Sequence, residues 1–103
     1  MITITPAAAD QIRTSATQGD MDGFAMRIAA TRNPDGSIHY GMGFDDSDIE
    51  GDVHVKSEQV DVVVSESSKI LLDGMTLDYV ELEPGNFQFI FMNPNDVNYV
   101  PPE

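Results

Sequence analysis

The chain has 103 residues, of which 18 are acidic and 5 are basic, so its formal net charge is −13. That length suits one domain, and so acidic a surface repels polyanions, which argues against DNA, RNA or acidic lipid as partners. The sequence has no cysteine, no apolar run near the roughly 18–20 residues of a membrane span and no secretory signal at its start, so we expect a cytoplasmic protein without disulfides.

The first predicted elements are a short strand, Ile2–Ile4, and a helix over Pro6–Gln18. Thr5 is a good N-cap, and Pro6 suits the first turn because its missing N–H has no helical partner there. Gly19 is expected to end the helix in the left-handed conformation. One narrow apolar stripe recurs at helical spacing and consists of Ala9, Ile12 and Ala16.

A β-hairpin is predicted next. The run 24–30 is apolar except for Arg27, which indicates a strand buried on both faces for most of its length, with Arg27 paired to an acid at the edge of the core. The sequence Asn-Pro-Asp-Gly at 33–36 predicts a turn, because Pro presets φ and Gly accepts a positive φ. The return strand is expected over 38–44.

An acidic loop follows at 45–52. Its first positions imitate an EF-hand calcium loop, but Ser57 stands where that motif needs its bidentate glutamate. The flanking segments also have strand character where the motif needs helices, so a solvated loop explains the pattern better. Two short β-branched runs, 53–55 and 60–64, predict further strands.

The C-terminal half predicts a shorter helix and a second pair of strands. Ser65 is the expected N-cap of a helix over 66–72 that stops at an Asp-Gly pair, and strands follow at 75–82 and 87–92. The whole pattern is α+β, a compact β-rich domain over 1–95 with a flexible tail over 96–103. Three aromatic residues on one face of the last strand are typical of core packing: Phe87, Phe89 and Phe91.

Four segments occur together in a characteristic order. They are an Ile-Thr-Ile-Thr start before an alanine-rich helix, the strand around Arg27, Leu-Asp-Gly followed by Leu-Asp-Tyr within 72–79, and Phe-Met-Asn-Pro-Asn at 91–95. As a set they resemble the A-type iron–sulfur carriers, also called the HesB/IscA-like family. The resemblance implies that family's fold, with mixed sheets, one N-terminal helix and one short helix.

The family carries three cysteines, one in the loop after the arginine-containing strand and two shortly after Asn-Pro-Asn. The corresponding positions in this sequence are Asp35, Val100 and Pro102. Iron–sulfur clusters are held chiefly by thiolates, and valine and proline side chains have no donor atom. The resemblance therefore implies the scaffold without its ligand set, and we expect neither a metal site nor a cofactor.

A cysteine-free member of this family is implied to be non-enzymatic, with an accessory or regulatory role through protein interaction in dissimilatory sulfur oxidation. We expect a basic protein partner, and a monomer because the negative charge opposes self-association. The candidate contact surface is the acidic loop, through Asp45, Asp46, Asp48, Glu50 and Asp52.

The rival hypothesis is a residual iron carrier or cluster assembly protein that uses carboxylate and imidazole ligands. Asp35 and His39 support it, because they lie close together across the start of the return strand. An enzyme is less consistent with the sequence, since Ser37 near His39 has no strained turn around it and no thiol is present.

Overall fold

The computed structural model describes residues 2–47 and 49–97. The elements in these ranges are β1 (Thr3–Ile4), α1 (Pro6–Gln18), β2 (Ala25–Arg32), β3 (Ile38–Asp45), β4 (Val53–Ser57), β5 (Val60–Val64), α2 (Glu66–Leu72), β6 (Thr76–Glu83) and β7 (Asn86–Met92). This β-rich arrangement with two helices confirms the predicted α+β class.

The described strands form two sheets with the orders β1-β6-β7 and β3-β2-β5-β4. The predicted hairpin is present as the antiparallel pair β2–β3, while β1–β6 and β2–β5 pair in parallel. Helix α2 joins β5 in one sheet to β6 in the other. None of the described helices is long and apolar enough to cross a membrane.

The core includes one face of β2, the apolar stripe of α1 and buried side chains of β1, β5, α2 and β6. The prediction that the strand around Arg27 is buried on both faces is wrong, because Met26 and Ile28 are buried while Ala29 is exposed and Arg27 is half-buried. Small alanines made the run look uniformly apolar, although only alternate residues face the core. The core side chains include Ile4, Ala8, Ala9, Ile12, Ile28, Val62, Val64, Leu72, Met75 and Leu77.

Helix α1 has the predicted bounds and the predicted N-cap, since Thr5 Oγ1 accepts a hydrogen bond from Ala8 N at 3.2 Å. Its end differs from the prediction. Gly19 has φ −91, and the left-handed residue is Asp20 with φ 57. The chain therefore reverses one residue later, at an aspartate, which tolerates that region better than most residues.

Helix α2 also has the predicted bounds, and its Ser68 replaces a missing strand partner. The parallel β2–β5 pairing includes Arg27↔Val63, and continuing that register would set Ala30 opposite Glu66, which already belongs to α2. The buried Ser68 Oγ instead accepts from Ala30 N at 3.1 Å and lies 3.4 Å from Ala30 O. This hydroxyl fastens the helix to the sheet.

The aromatic row of β7 is only partly in the core. Phe89 and Phe91 pack against it, but Phe87 is 51% exposed, so the prediction is wrong for that residue. The β6–β7 hairpin extends past the rest of the core, and the ring of Phe87 lies against Tyr79 with 5.6 Å between ring centroids. Alternation places these rings on one face but does not say where the opposing layer ends.

Candidate functional site at the hairpin–tail corner

The Asn-Pro-Asn segment that follows β7 caps the end of α2. Asn93 is 1% exposed, its Nδ2 donates to Leu71 O at 2.7 Å, and its Oδ1 accepts from Asn95 N at 3.0 Å. Asn95 Nδ2 donates to Asp73 O at 2.8 Å and to Leu71 O at 3.1 Å. Carbonyls at a helix C-terminus have no hydrogen-bond partner within the helix, and the side-chain amides of Asn93 and Asn95 provide the missing donors.

From there the chain reaches the β2–β3 turn. Arg32 Nη1 donates to Gly36 O at 2.6 Å within the turn, and its Nη2 donates to Asn95 O at 3.2 Å. A Cβ at Gly36, which has φ +90, would lie 3.1 Å from Val97 Cγ1. The loop and the described end of the tail therefore meet, and we call this place the corner, formed by Arg32, Asp35, Tyr40, Asp96 and Val97.

Tyr40 connects strand β3 to both β7 and the segment that follows it. Its ring stacks on Phe91 with 4.4 Å between centroids and 3° between planes, and its hydroxyl donates to Asp96 Oδ2 at 3.1 Å. Burial, with the neighbouring Asp96 as a lesser cause, raises the pKa of Tyr40 to about 12. The phenol therefore stays protonated at neutral pH and remains a hydrogen-bond donor to the tail.

Asp35, predicted to occupy the position of a family cysteine, is exposed and has a local structural role. Its Oδ1 accepts from Ser37 Oγ at 2.6 Å and from Ser37 N at 3.0 Å. These hydrogen bonds hold the pKa of the Asp35 carboxyl below its ordinary value. The arrangement is an Asx turn, in which the carboxylate orders the hairpin loop.

The remaining metal candidates do not converge in the described ranges. His39 is exposed on β3 opposite Thr31, and no hydrogen bond among the described residues joins it to Asp35. No group of three or more Asp, Glu or His side chains there could hold an ion. Val100 and Pro102, predicted to occupy the other two family cysteine positions, lie outside the described residues.

The predicted acidic surface is divided by Arg27. As expected, this arginine is paired with acids: its Nε donates to Asp45, and its Nη2 donates to Asp52 Oδ2 at 2.5 Å. The Asp52 side chain is only 4% exposed. Hydrogen bonds from Ser47, and then from Arg27, hold the pKa of Asp45 well below its ordinary value.

Arg27 therefore fixes both ends of the acidic loop to β2. Asp46 and Glu50 are exposed between those ends, and Asp48 lies outside the described residues. Of the five acids predicted to contact a partner, Asp45 and Asp52 already neutralise an arginine in the fold.

Sequence reasoning missed the contacts that build the corner. Arg32 and Asn95 are 63 positions apart, and Tyr40 and Asp96 are 56 positions apart. The one available signal was the Asn-Pro-Asn segment, because two asparagines around a proline are typical of backbone capping.

The sequence profile for iron-sulphur cluster biosynthesis matches residues 1–99. The chain belongs to this family. It is 32% identical over 94 residues to the iron-sulfur cluster insertion protein ErpA of Actinobacillus succinogenes, which covers 91% of this chain and 82% of that protein. An ErpA of Escherichia coli is 33% identical over 91 residues, with coverage of 88% and 79%.

Solved structures give the same fold. A crystal structure of IscA with the 2Fe–2S cluster matches with a TM-score of 0.76 and 26% identity, over 91% of this chain and 86% of that one. Escherichia coli SufA matches with a TM-score of 0.73 over the same shares, and its 24% identity supports the fold alone. The predicted HesB/IscA-like fold is confirmed.

Proposed function

We propose that this chain is a cysteine-free member of the family that resembles DsrR, an IscA-like protein encoded among genes for dissimilatory sulfur oxidation. In this proposal it acts in the cytoplasm as a non-enzymatic accessory or regulatory protein, through protein contacts and without an iron–sulfur cluster as cargo. The observation that carries the proposal is the absence of cysteine from the whole chain.

The donor chemistry supports this proposal. Of the three positions that carry thiolates in the family, two have side chains without a donor atom, Val100 and Pro102. The third, Asp35, offers one hard carboxylate whose Oδ1 already accepts two hydrogen bonds from Ser37. Iron–sulfur clusters are held by soft thiolates, so these residues do not fit a cluster.

Anaerobic reconstitution with ferrous iron and sulfide tests the proposal. The unchanged protein should remain colourless after desalting, with far less than one equivalent of iron and sulfide. The matched variant carries Asp35→Cys, Val100→Cys and Pro102→Cys and should gain a brown cluster, because the scaffold lacks only its thiolates. A stable, stoichiometric cluster on the unchanged protein would overturn the proposal.

The iron content measured in the same experiment distinguishes the accessory role from that of a residual iron carrier. That hypothesis requires about one tightly bound iron without sulfide, lost in the variants Asp35→Asn and His39→Asn. Iron bound in this way would replace the accessory role with iron delivery, whereas its absence in all forms supports the accessory role.

We further propose that the acidic loop contacts a basic partner through Asp46, Asp48 and Glu50, of which Asp46 and Glu50 are exposed. Their neutralisation by Asp46→Asn, Asp48→Asn and Glu50→Gln should slow association and flatten its salt dependence. The matched control makes the same three chemical changes at exposed acids elsewhere. The control substitutions are Asp20→Asn, Asp22→Asn and Glu58→Gln.

The measurement is capture of partners from extract of the native cell, followed by association rates of the captured protein at several salt concentrations. Equal decreases in the association rate of the loop variant and the control would mean that overall charge, and not the loop, determines binding. Sedimentation at micromolar concentration tests the proposed monomer.

A further inference from the structure

Strand β7 is an edge of its sheet, and none of the other described strands pairs with its outer side. It contains no charged residue and no proline, whereas natural edge strands are commonly protected by such residues or by being short. The other edges among the described strands have this protection. Lys56 lies on β4, β1 has two residues, and Asp45 lies on β3.

The register shows which backbone groups face outward from β7. Thr5 N donates to Leu77 O across the β1–β6 pair, so Leu77 directs its backbone toward β1 and away from β7. Leu77 is opposite Phe91, and alternate residues of an antiparallel pair exchange hydrogen bonds. The outward N–H and C=O groups on β7 therefore belong to Phe87, Phe89 and Phe91.

The same three residues form an apolar platform beside that edge. The ring of Tyr79 lies 5.6 Å from the ring of Phe87 and 4.8 Å from that of Phe89, and Phe87 is 51% exposed. A strand added along the edge would receive hydrogen bonds and would set alternate side chains against these rings.

Charge decides between a second copy of the chain and a different partner. Glu81 lies opposite Phe87, and Glu83 lies at the exposed tip of the hairpin. Two copies paired along β7 would each bring a net charge of −13. A lysine or arginine on an added strand would instead lie about two strand spacings, roughly 10 Å, from Glu81, within reach of a long side chain.

We propose that the open edge of β7 binds an extended, positively charged segment of another protein, which adds to the sheet as its fourth strand. This surface is separate from the acidic loop, and it meets the corner only at Phe91, whose ring stacks on Tyr40. Failure of this inference therefore leaves the proposed function standing.

The probe is a synthetic nine-residue peptide of alternating lysine and valine, and the control peptide has proline at its central position. The alternating peptide should slow amide hydrogen exchange at Phe87, Phe89 and Phe91 but change it little at Gln88 and Ile90. The proline peptide should give no such alternation, because proline cannot donate to the edge.

The protein variants are Phe87→Lys and the matched control Ile70→Lys, which makes the same charge change at a residue 76% exposed on α2. Phe87→Lys should weaken peptide binding about tenfold or more, and Ile70→Lys about twofold or less. Equal weakening, binding without alternating protection, or no binding at millimolar peptide would overturn the inference. A peptide-free dimer lost in Phe87→Lys would assign the edge to a second copy instead.

Discussion

Replacing Asn93 with alanine should destabilise the whole domain, although Asn93 lies in a connection after the last strand. Its buried amide joins this connection to the end of α2 through Leu71 O, and it orders Asn95 through the Asn95 N–H. The variant removes these two hydrogen bonds and a third, from Asn95 Nδ2 to Asn93 Oδ1 at 3.0 Å, and it leaves a small cavity at a site that is 1% exposed. Asn95 would lose its ordered backbone and with it part of the remaining cap.

The expected cost follows from those contacts. Three hydrogen bonds at about 1 kcal/mol each, together with the lost packing of a buried side chain, give about 3–4 kcal/mol. For a domain of this size that loss lowers Tm by about 15–25 °C. The near-isosteric variant Asn93→Asp keeps the shape but turns a carboxylate oxygen toward Leu71 O, so we expect it to be destabilised at neutral pH as well.

Urea unfolding followed by circular dichroism measures these differences. The matched control is Asn33→Ala, because Asn33 is exposed and its side-chain amide, as far as the described residues show, donates to Ser37 Oγ alone, at 3.0 Å. A surface change of that kind should cost about 0.5 kcal/mol or less. If Asn93→Ala lowered the free energy of unfolding by no more than this control does, capping of α2 would not be the role of the Asn-Pro-Asn segment.

Two further predictions concern charged and titratable contacts. Asp52→Asn should lower the free energy of unfolding in urea by about 1–3 kcal/mol, because the buried Asp52 side chain pairs with Arg27. The exposed control Asp46→Asn should leave that free energy almost unchanged. Equal effects of the two variants would contradict the role of Arg27. The pKa of Tyr40 is raised to about 12, above the value near 10 expected on unfolding, so the stability that Tyr40 contributes should be complete below about pH 10 and lost as pH rises toward 12. In Tyr40→Phe the stacked ring remains, and this part of the alkaline loss should disappear from a pH series of urea midpoints; an unchanged series would refute the assignment.

Local sequence was sufficient for the elements whose signals lie within a few residues. The bounds of α1 and α2 agree with the predictions because an N-cap, a first-turn proline and helical spacing all act inside one segment. The hairpin was predictable for the same reason, since its turn depends on neighbouring residues. The resemblance to the family also depended on short ordered segments, and it indicated the fold before any contact was known.

Tertiary structure alone decided which side chains meet. The sequence showed that Arg27 needs an acid, but only the fold selects Asp45 and Asp52. Likewise, no local sequence pattern shows that β6 and β7 extend beyond the elements that pack against them, so the exposure of Phe87 was not predictable. The absence of cysteine is a property of composition that folding does not alter, whereas the corner, the divided acidic loop and the open edge of β7 arise from pairings between distant segments, whose partners depend on the geometry of the whole chain.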